Sequence, residues 1–456
     1  MPNPYKLEQM PEPENPTEGA DVEKEAAELG KKLSEKTFGE KVFSEYQTRK
    51  VPLEQQSKRI QKTERGESAR FERGQIYKAY KILRKEIREA EKDGERAAGK
   101  RGLLEKIRSR AKIMERDIDE LERQFKHNVR IIEVETELGK FSVPVTELDL
   151  KKDLEPGEDD KRIPYIFWGG IGSTVEMNGC IAAALALAGQ RVIGMPHLEQ
   201  KEVKKPASAK EISKGKKNFG MQAGITRAIA ENAGLKNYNI VGYSTGANIA
   251  LETAISLSND PESKGRLNDL ILIEPVGLDE QGVAGLATGL GADIIKELVP
   301  SSEGRIKVLG QGAETNKQEQ KLPFEIETVR VLGKKQFTAE RLSQIEVAGS
   351  FQWWVGRSSG LTSIPLTERV VKTTQELMKK KNPDAHLPQL NEVVNGTHFL
   401  PNMNAIGLAE MIVEGREGAQ AERPKIIKRK DLANSAMAGI LKQITGNKNT
   451  ERDQEL

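Results

Sequence analysis

Residues 238–248, Tyr-Asn-Ile-Val-Gly-Tyr-Ser-Thr-Gly-Ala-Asn, leave this chain few ways to fold. An apolar run at Ile240 and Val241 meets Gly242-Tyr243-Ser244-Thr245-Gly246, and Ile249, Ala250, Ala254 and Leu257 then recur at helical spacing. A strand that turns sharply into a helix, with a glycine two positions either side of a serine, is a nucleophile elbow. The turn holds its serine in a strained conformation, and only glycine lets the neighbouring backbone come so close. Such a bend lifts the Ser244 hydroxyl above the sheet, where a base can reach it. The next amide, Thr245 N–H, then points from the helix start toward charge developing on a bound carbonyl. Five residues alone would be an ordinary turn; the flanking strand and helix give the pattern its meaning.

The same alternation extends on both sides. Upstream lie a buried strand at Ile163-Pro-Tyr-Ile-Phe-Trp168, Gly169-Gly170, a helix over 178–188 and the strand Arg191-Val-Ile-Gly-Met195. A charged loop over 199–217 then leads to a helix from Met221 to Ala233, closed by Gly234. Downstream come the strand Leu270–Ile273, Ser350-Phe-Gln-Trp-Trp-Val355, a helix from Leu366 to Lys380, a strand over 389–394 and a helix from Ala405 to Val413. Strands alternating with helices through short connections specify an α/β fold, a mostly parallel sheet with helices on both faces. Two short strands, Val129–Val134 and Phe141–Val145, precede it around the turn Leu138-Gly139-Lys140. Trp353 and Trp354 are consecutive and face opposite sides of their strand. Residues 279–345 break the pattern and read as a cap or lid inserted in a domain spanning 128–415.

Outside that domain the chain is more polar. Residues 1–57 read as disordered, rich in Pro, Glu, Lys and Gly. Over 58–127 an apolar seam (Ile76, Tyr80, Leu83, Ile87, then Leu104, Ile107, Ala111, Met114, Ile118, Leu121, Phe125) alternates by three and four between charged flanks. Gly94, Gly99 and Gly102 interrupt it, which favours a helical hairpin or coiled coil over one long helix. Such an arm offers a route to self-association or to a protein partner. Residues 416–456 read as a basic, partly helical tail, with Lys425 to Lys430 solvated and a weak amphipathic helix from Leu432 to Ile444.

A net charge of +3 in 456 residues demands neither nucleic acid nor an anionic membrane. One cysteine, Cys180, permits no disulfide within a single chain and fits a reducing, cytoplasmic setting. The first residues lack the apolar core of a signal peptide, and Cys180–Ala188 is too short to span a bilayer. No His/Cys/carboxylate cluster has metal-ligand spacing and no Gly-rich phosphate loop appears, so no metal or cofactor is expected.

Over roughly residues 128–415 the chain resembles the α/β-hydrolase superfamily. Trp168-Gly169-Gly170-Ile171-Gly172-Ser173 is similar to the His-Gly-x-x-Gly-Ser turn after the third strand, with Trp in place of His. Arg191 to Pro196 resembles the fourth strand and its exit, Leu235 to Ala250 the elbow region, and Leu270 to Gly277 the sixth strand. Asn395-Gly-Thr-His398-Phe-Leu-Pro resembles the loop that carries the superfamily's histidine, and serine precedes histidine in the order that superfamily uses.

The resemblance implies a serine hydrolase, esterase- or lipase-like, that cleaves an ester or related acyl bond of a small molecule through an acyl-enzyme. Ser244 needs a base, and among the four histidines (His127, His197, His386, His398) His398 has the matching loop. Gly170, or Ile171 beside it, would join Thr245 N–H in the oxyanion hole. The acid is where the pattern breaks. The usual aspartate loop after the seventh strand here reads Val355-Gly-Arg-Ser358-Ser359-Gly360. Glu274, at the end of the sixth strand, is the replacement, since a carboxylate buried there needs a partner. Ser358, Ser359 and Asp384 are the other candidates. The rival expectation is an inactive hydrolase-like domain that serves as a scaffold through its helical arm.

Overall fold

The computed structural model describes residues 48–49, 84–85, 87–89, 91–92, 101–136, 139–150, 162–170, 179–198, 203–204, 206, 216–280, 285–286, 288–289, 293, 332, 334–402, 405–415, 424–428, 431–432 and 434–436. Apart from Thr48–Arg49, which pair with Ile131 and Ile132 as a short strand rather than lying in a disordered segment, the expected disordered residues 1–57 lie outside them, as do most of the cap 279–345, the start of the arm and residues 437–444 of the tail helix.

Ten strands form one sheet: β1 (Thr48–Arg49), β2 (Val129–Thr136), β3 (Gly139–Leu148), β4 (Tyr165–Trp168), β5 (Val192–Met195), β6 (Tyr238–Tyr243), β7 (Leu267–Ile273), β8 (Phe351–Gly356), β9 (Pro388–Val393) and β10 (Lys425–Ile427). Their order is β1-β2-β3-β5-β4-β6-β7-β8-β9-β10. β2 and β3 make the antiparallel hairpin that their alternation predicts, with Thr136 opposite Gly139 at the turn. β3 lies antiparallel to β5, and from β5 to β10 every pairing is parallel. β4 starts at Tyr165 rather than Ile163. Pro164 has no N–H to donate to a ladder, but its carbonyl accepts from Asn239 N–H.

The helices are α1 (Arg101–His127), α2 (Gly179–Leu187), α3 (Lys216–Asn232), α4 (Thr245–Asn259), α5 (Ala339–Leu342), α6 (Ile364–Lys381) and α7 (Ala405–Glu414). Two apolar layers cover the sheet, and successive strand residues divide between them. Ile240, Leu270, Leu272 and Trp353 join the layer containing Ile225 and Ile229 of α3, Ile249 and Ala250 of α4, and Val370 of α6. Val241, Ile271, Ile273 and Trp354 join the layer containing Ile118 and Leu121 of α1, Cys180 to Leu187 of α2, and Leu408 and Ile412 of α7. The central strands are buried along their whole length, so apolar residues occupy both faces and only Asn239 and Gln352 interrupt β6 and β8.

α1 departs from the expected interaction arm. Its seam (Ile107, Ala111, Met114, Ile118, Leu121, Phe125) is buried in the chain's own core, beside α2. Among the described residues this seam is therefore not available for self-association or for a protein partner. The cause is α2, Gly-Cys-Ile-Ala-Ala-Ala-Leu-Ala-Leu, which is apolar all round and needs cover wherever the sheet does not reach it. Burying a side chain such as Ile118 or Leu121 is worth about 1.5–3 kcal/mol. Gly102 is accommodated in the first turn of α1 rather than breaking it. Helical residues within 84–92 run antiparallel to α1 through Arg84–Asp119, Arg84–Glu122 and Arg88–Glu115 ion pairs at 2.5, 3.1 and 3.1 Å.

The start of the tail also differs from expectation. Lys425–Ile427 adds β10 in parallel to β9, and Leu432 packs so closely on α7 that a Cβ on Gly407 would lie 2.0 Å from the Leu432 carbonyl oxygen. Ile427 and Leu432 are buried, which ties this otherwise charged segment to the core. No helix among the described residues is long and apolar enough to cross a membrane.

Candidate active site

β6, β7, β8 and β9 run parallel, so their C-terminal ends open on one edge of the sheet, where α/β folds bind ligands. Non-glycine residues with positive φ are found, among the described residues, at Ser244 (55°), Glu274 (48°) and Asn395 (60°). They follow β6, β7 and β9, so backbone strain is concentrated on that edge, at about 1–3 kcal/mol per residue.

The elbow forms as its glycines require. A Cβ on Gly242 would stand 2.5 Å from Gly246 O, and one on Gly246 would stand 2.3 Å from Trp168 O. Ser244 N–H donates to Ile273 O at 2.9 Å, and Ser244 O accepts from Ala247 N–H at 3.0 Å. These contacts hold Ser244 at φ 55° and ψ −117°.

His398 reaches Ser244 from the loop after β9. Its Nε2 is 2.8 Å from Ser244 Oγ. The loop is pinned on three sides. Asn395 takes the left-handed conformation that asparagine tolerates. Gly396 packs on Gly356, where a Cβ would lie 2.3 Å from Gly396 backbone. Tyr243 Oη donates to His398 O at 2.9 Å, and the Tyr243 and imidazole ring centroids are 5.5 Å apart.

Glu274 stands on the far side of the imidazole, with Oε2 3.4 Å from His398 Nδ1. That is an ion-pair distance, longer than an N–H···O hydrogen bond. Glu274 is fully buried, and its two oxygens are otherwise satisfied. Oε1 accepts from Gly356 N–H and Oε2 accepts from Thr362 Oγ1–H at 3.0 Å. These donors offset the cost of burying a carboxylate. With Nε2 positioned to accept the serine proton, the imidazole hydrogen belongs on Nδ1, facing Glu274.

Gly170 borders the nucleophile: a Cβ there would stand 3.3 Å from Ser244 Cβ and 3.6 Å from Oγ. Thr245 opens α4 directly after Ser244. Ile171 lies outside the described residues. Ser358 N–H donates to Gly396 O, Ser359 Oγ is 3.5 Å from Asp293 Oδ2, and Asp384 sits in an exposed turn closed by Asn382. The carboxylate facing the imidazole is Glu274.

Asp293 belongs to this site and was not singled out by sequence reasoning. Fully buried, it accepts from His398 N–H through Oδ2 at 2.9 Å and from Gly360 N–H through Oδ1 at 2.7 Å. Its segment meets the β8 loop at Gly289, where a Cβ would lie 2.3 Å from Gly360 O. In the sequence it is one of many acids in a stretch of mixed period, with nothing to set it apart. Further along β9, burial pushes the Glu392 carboxyl up and Glu368 adds to the shift, against Arg357 at 3.1 Å. Among the described residues no group of three or more His, Cys, Asp or Glu is placed to hold a metal ion.

The sheet order, the strained serine after β6 and the histidine loop after β9 together define an α/β-hydrolase-type core. Comparison with solved structures finds likenesses at low identity. An esterase from Exiguobacterium antarcticum is 12% identical, with 63% of this chain and 99% of that chain covered and a TM-score of 0.44. A thermophilic esterase from Thermogutta terrifontis is 13% identical, with 62% and 97% covered and a TM-score of 0.44. Bromoperoxidase from Bacillus anthracis is 13% identical, with 60% and 95% covered and a TM-score of 0.41. No protein-family model and no curated protein matches the sequence.

Proposed function

We propose that the chain is a serine hydrolase that cleaves an ester or related acyl bond of a small molecule through a covalent acyl-enzyme. The observation that carries this reading is the line from Ser244 Oγ to His398 Nε2 at 2.8 Å and from His398 Nδ1 to Glu274 Oε2 at 3.4 Å. In the proposed sequence His398 Nε2 takes the Ser244 proton as Oγ attacks the substrate carbonyl. The carbonyl oxygen gains the charge and is held by the Gly170 and Thr245 amides. Collapse breaks the bond to the leaving group, which receives the proton from His398 and departs. Water, deprotonated by the same nitrogen, attacks the acyl-enzyme; the bond to Ser244 Oγ breaks, His398 returns the proton to Oγ and the acid is released. Glu274 keeps the imidazole in its Nδ1–H form and stabilises the imidazolium.

The division of the chain that goes with this reading is a hydrolase domain over 128–415, a cap over 279–345, a helical arm over 58–127 and a tail over 416–456. The test is a fluorophosphonate probe, which phosphonylates an activated serine. Labelling is expected at Ser244, absent in Ser244→Ala and reduced at least about 100-fold in rate in His398→Ala, on the scale of general-base catalysis. Folded wild-type protein that stays unlabelled would instead point to an inactive domain used for binding.

A further inference from the structure

The Gly169–Gly170 peptide carries one of the two proposed oxyanion donors, yet two consecutive glycines do little to fix their own conformation. Something else must hold that peptide. The β4–β5 ladder ends with Trp168 opposite Met195, so backbone pairing stops one residue short of it. Two residues past Met195, on the strand exit, stands His197. Its Nε2 lies 2.9 Å from Gly169 O. A carbonyl oxygen can only accept, so Nε2 carries the hydrogen and donates it.

His197 is buried, and its ring stands edge-on to Trp168 with centroids 5.6 Å apart. The Trp168 indole N–H finds no acceptor among the described residues, so Trp168 packs against the histidine and adds no hydrogen bond to the turn. On its other side Gly169 O meets the first turn of α4, where a Cβ on Gly246 would lie 2.5 Å away. The Gly169 carbonyl is thus clamped between the start of α4 and the His197 ring.

The described chain has no cis peptide bond, and in a trans peptide C=O and N–H point opposite ways in one plane. Fixing the Gly169 carbonyl therefore fixes the direction of Gly170 N–H. We infer that His197 is a positioning residue for the oxyanion hole: by donating to Gly169 O it orients the peptide whose N–H, beside Ser244, stabilises the transition state. This rests on the serine-hydrolase reading for its consequence but not for its geometry, and the two are separable by experiment.

His197→Phe keeps a ring of similar bulk without a donor, whereas His197→Gln restores an N–H on a side chain of similar reach. The Ser244 phosphonylation rate is expected to fall about 10- to 100-fold in the Phe variant, somewhat less than for outright loss of an oxyanion donor. It should return to within about 3-fold in the Gln variant. Equal rates in wild type and Phe, or no rescue by Gln, overturn the inference; if Phe does not fold, Ala takes its place. Gly169–Gly170 is the one Gly-Gly pair in the sequence. Cell-free protein made with carbonyl-13C, 15N-glycine therefore gives a single HNCO cross-peak, from that peptide. The peak should move in Phe and return toward the wild-type position in Gln; an unmoved peak refutes the positioning role. If wild type takes no fluorophosphonate, the hydrolase reading alone fails and the cross-peak still decides whether His197 sets this peptide.

Discussion

The ends of β7 and β8 are neighbours in register, Ile273 beside Trp354, yet they contribute opposite chemistry to the site. β7 ends in a carboxylate, Glu274, under positive φ. β8 ends in Gly356-Arg357-Ser358-Ser359-Gly360, where the superfamily resemblance calls for an acid, and here it supplies N–H groups instead. Gly356 N–H binds Glu274 and Gly360 N–H binds Asp293. β7 leads into the buried carboxylate, and the end of β8 supplies an N–H that keeps it satisfied there. In the proposed chemistry the imidazole needs a carboxylate on its Nδ1 side, whichever strand supplies it.

That comparison breaks first at Glu274. Glu274→Gln keeps shape and removes charge, so phosphonylation of Ser244 is expected to slow by about 10³- to 10⁴-fold, comparable with loss of a triad acid. A rate within about 3-fold of wild type would return the role to the β8 side. Thr362→Val sharpens the contrast, because it removes the hydroxyl that donates to Glu274 Oε2 at 3.0 Å. One lost hydrogen bond to a charged group, about 1.5–3 kcal/mol, predicts a fall of about 10-fold in the same assay if part of that loss reaches the transition state. Ser358→Ala keeps the backbone N–H that donates to Gly396 O, so the histidine loop retains that hold and the rate is expected to stay within about 2-fold. A fall of 100-fold there would mean that the serine side chain serves the imidazole.

Where a constraint was local, the sequence disclosed it. The elbow was legible because Gly242 and Gly246 are each demanded by backbone approaching within 2.5 Å of where a Cβ would be. The sheet was legible because β4 and the runs Ile240–Val241, Leu270–Ile273 and Trp353–Val355 are apolar, and the Trp353–Trp354 pair divides between the two layers as strand geometry requires. Glu274 stood out since an acid after four apolar residues must find partners. Asp293 and His197 were not legible as site residues. Each acts through a backbone atom of a distant segment, His398 N–H 105 residues away and Gly169 O 28 residues away, and backbone partners leave no mark on residue type. The seam of α1 was visible, but what covers it was not, because a periodic apolar face does not name its neighbour.

The helix that α1 covers carries one more consequence. α2 has no polar side to offer water and shares its apolar layer with α1, so a fragment limited to residues 128–415 is expected to bare part of that layer, although every group in the proposed chemistry lies within it. Recombination that moved this enzyme-like portion into another protein would have to bring along its preceding rod or find an equivalent wrapper.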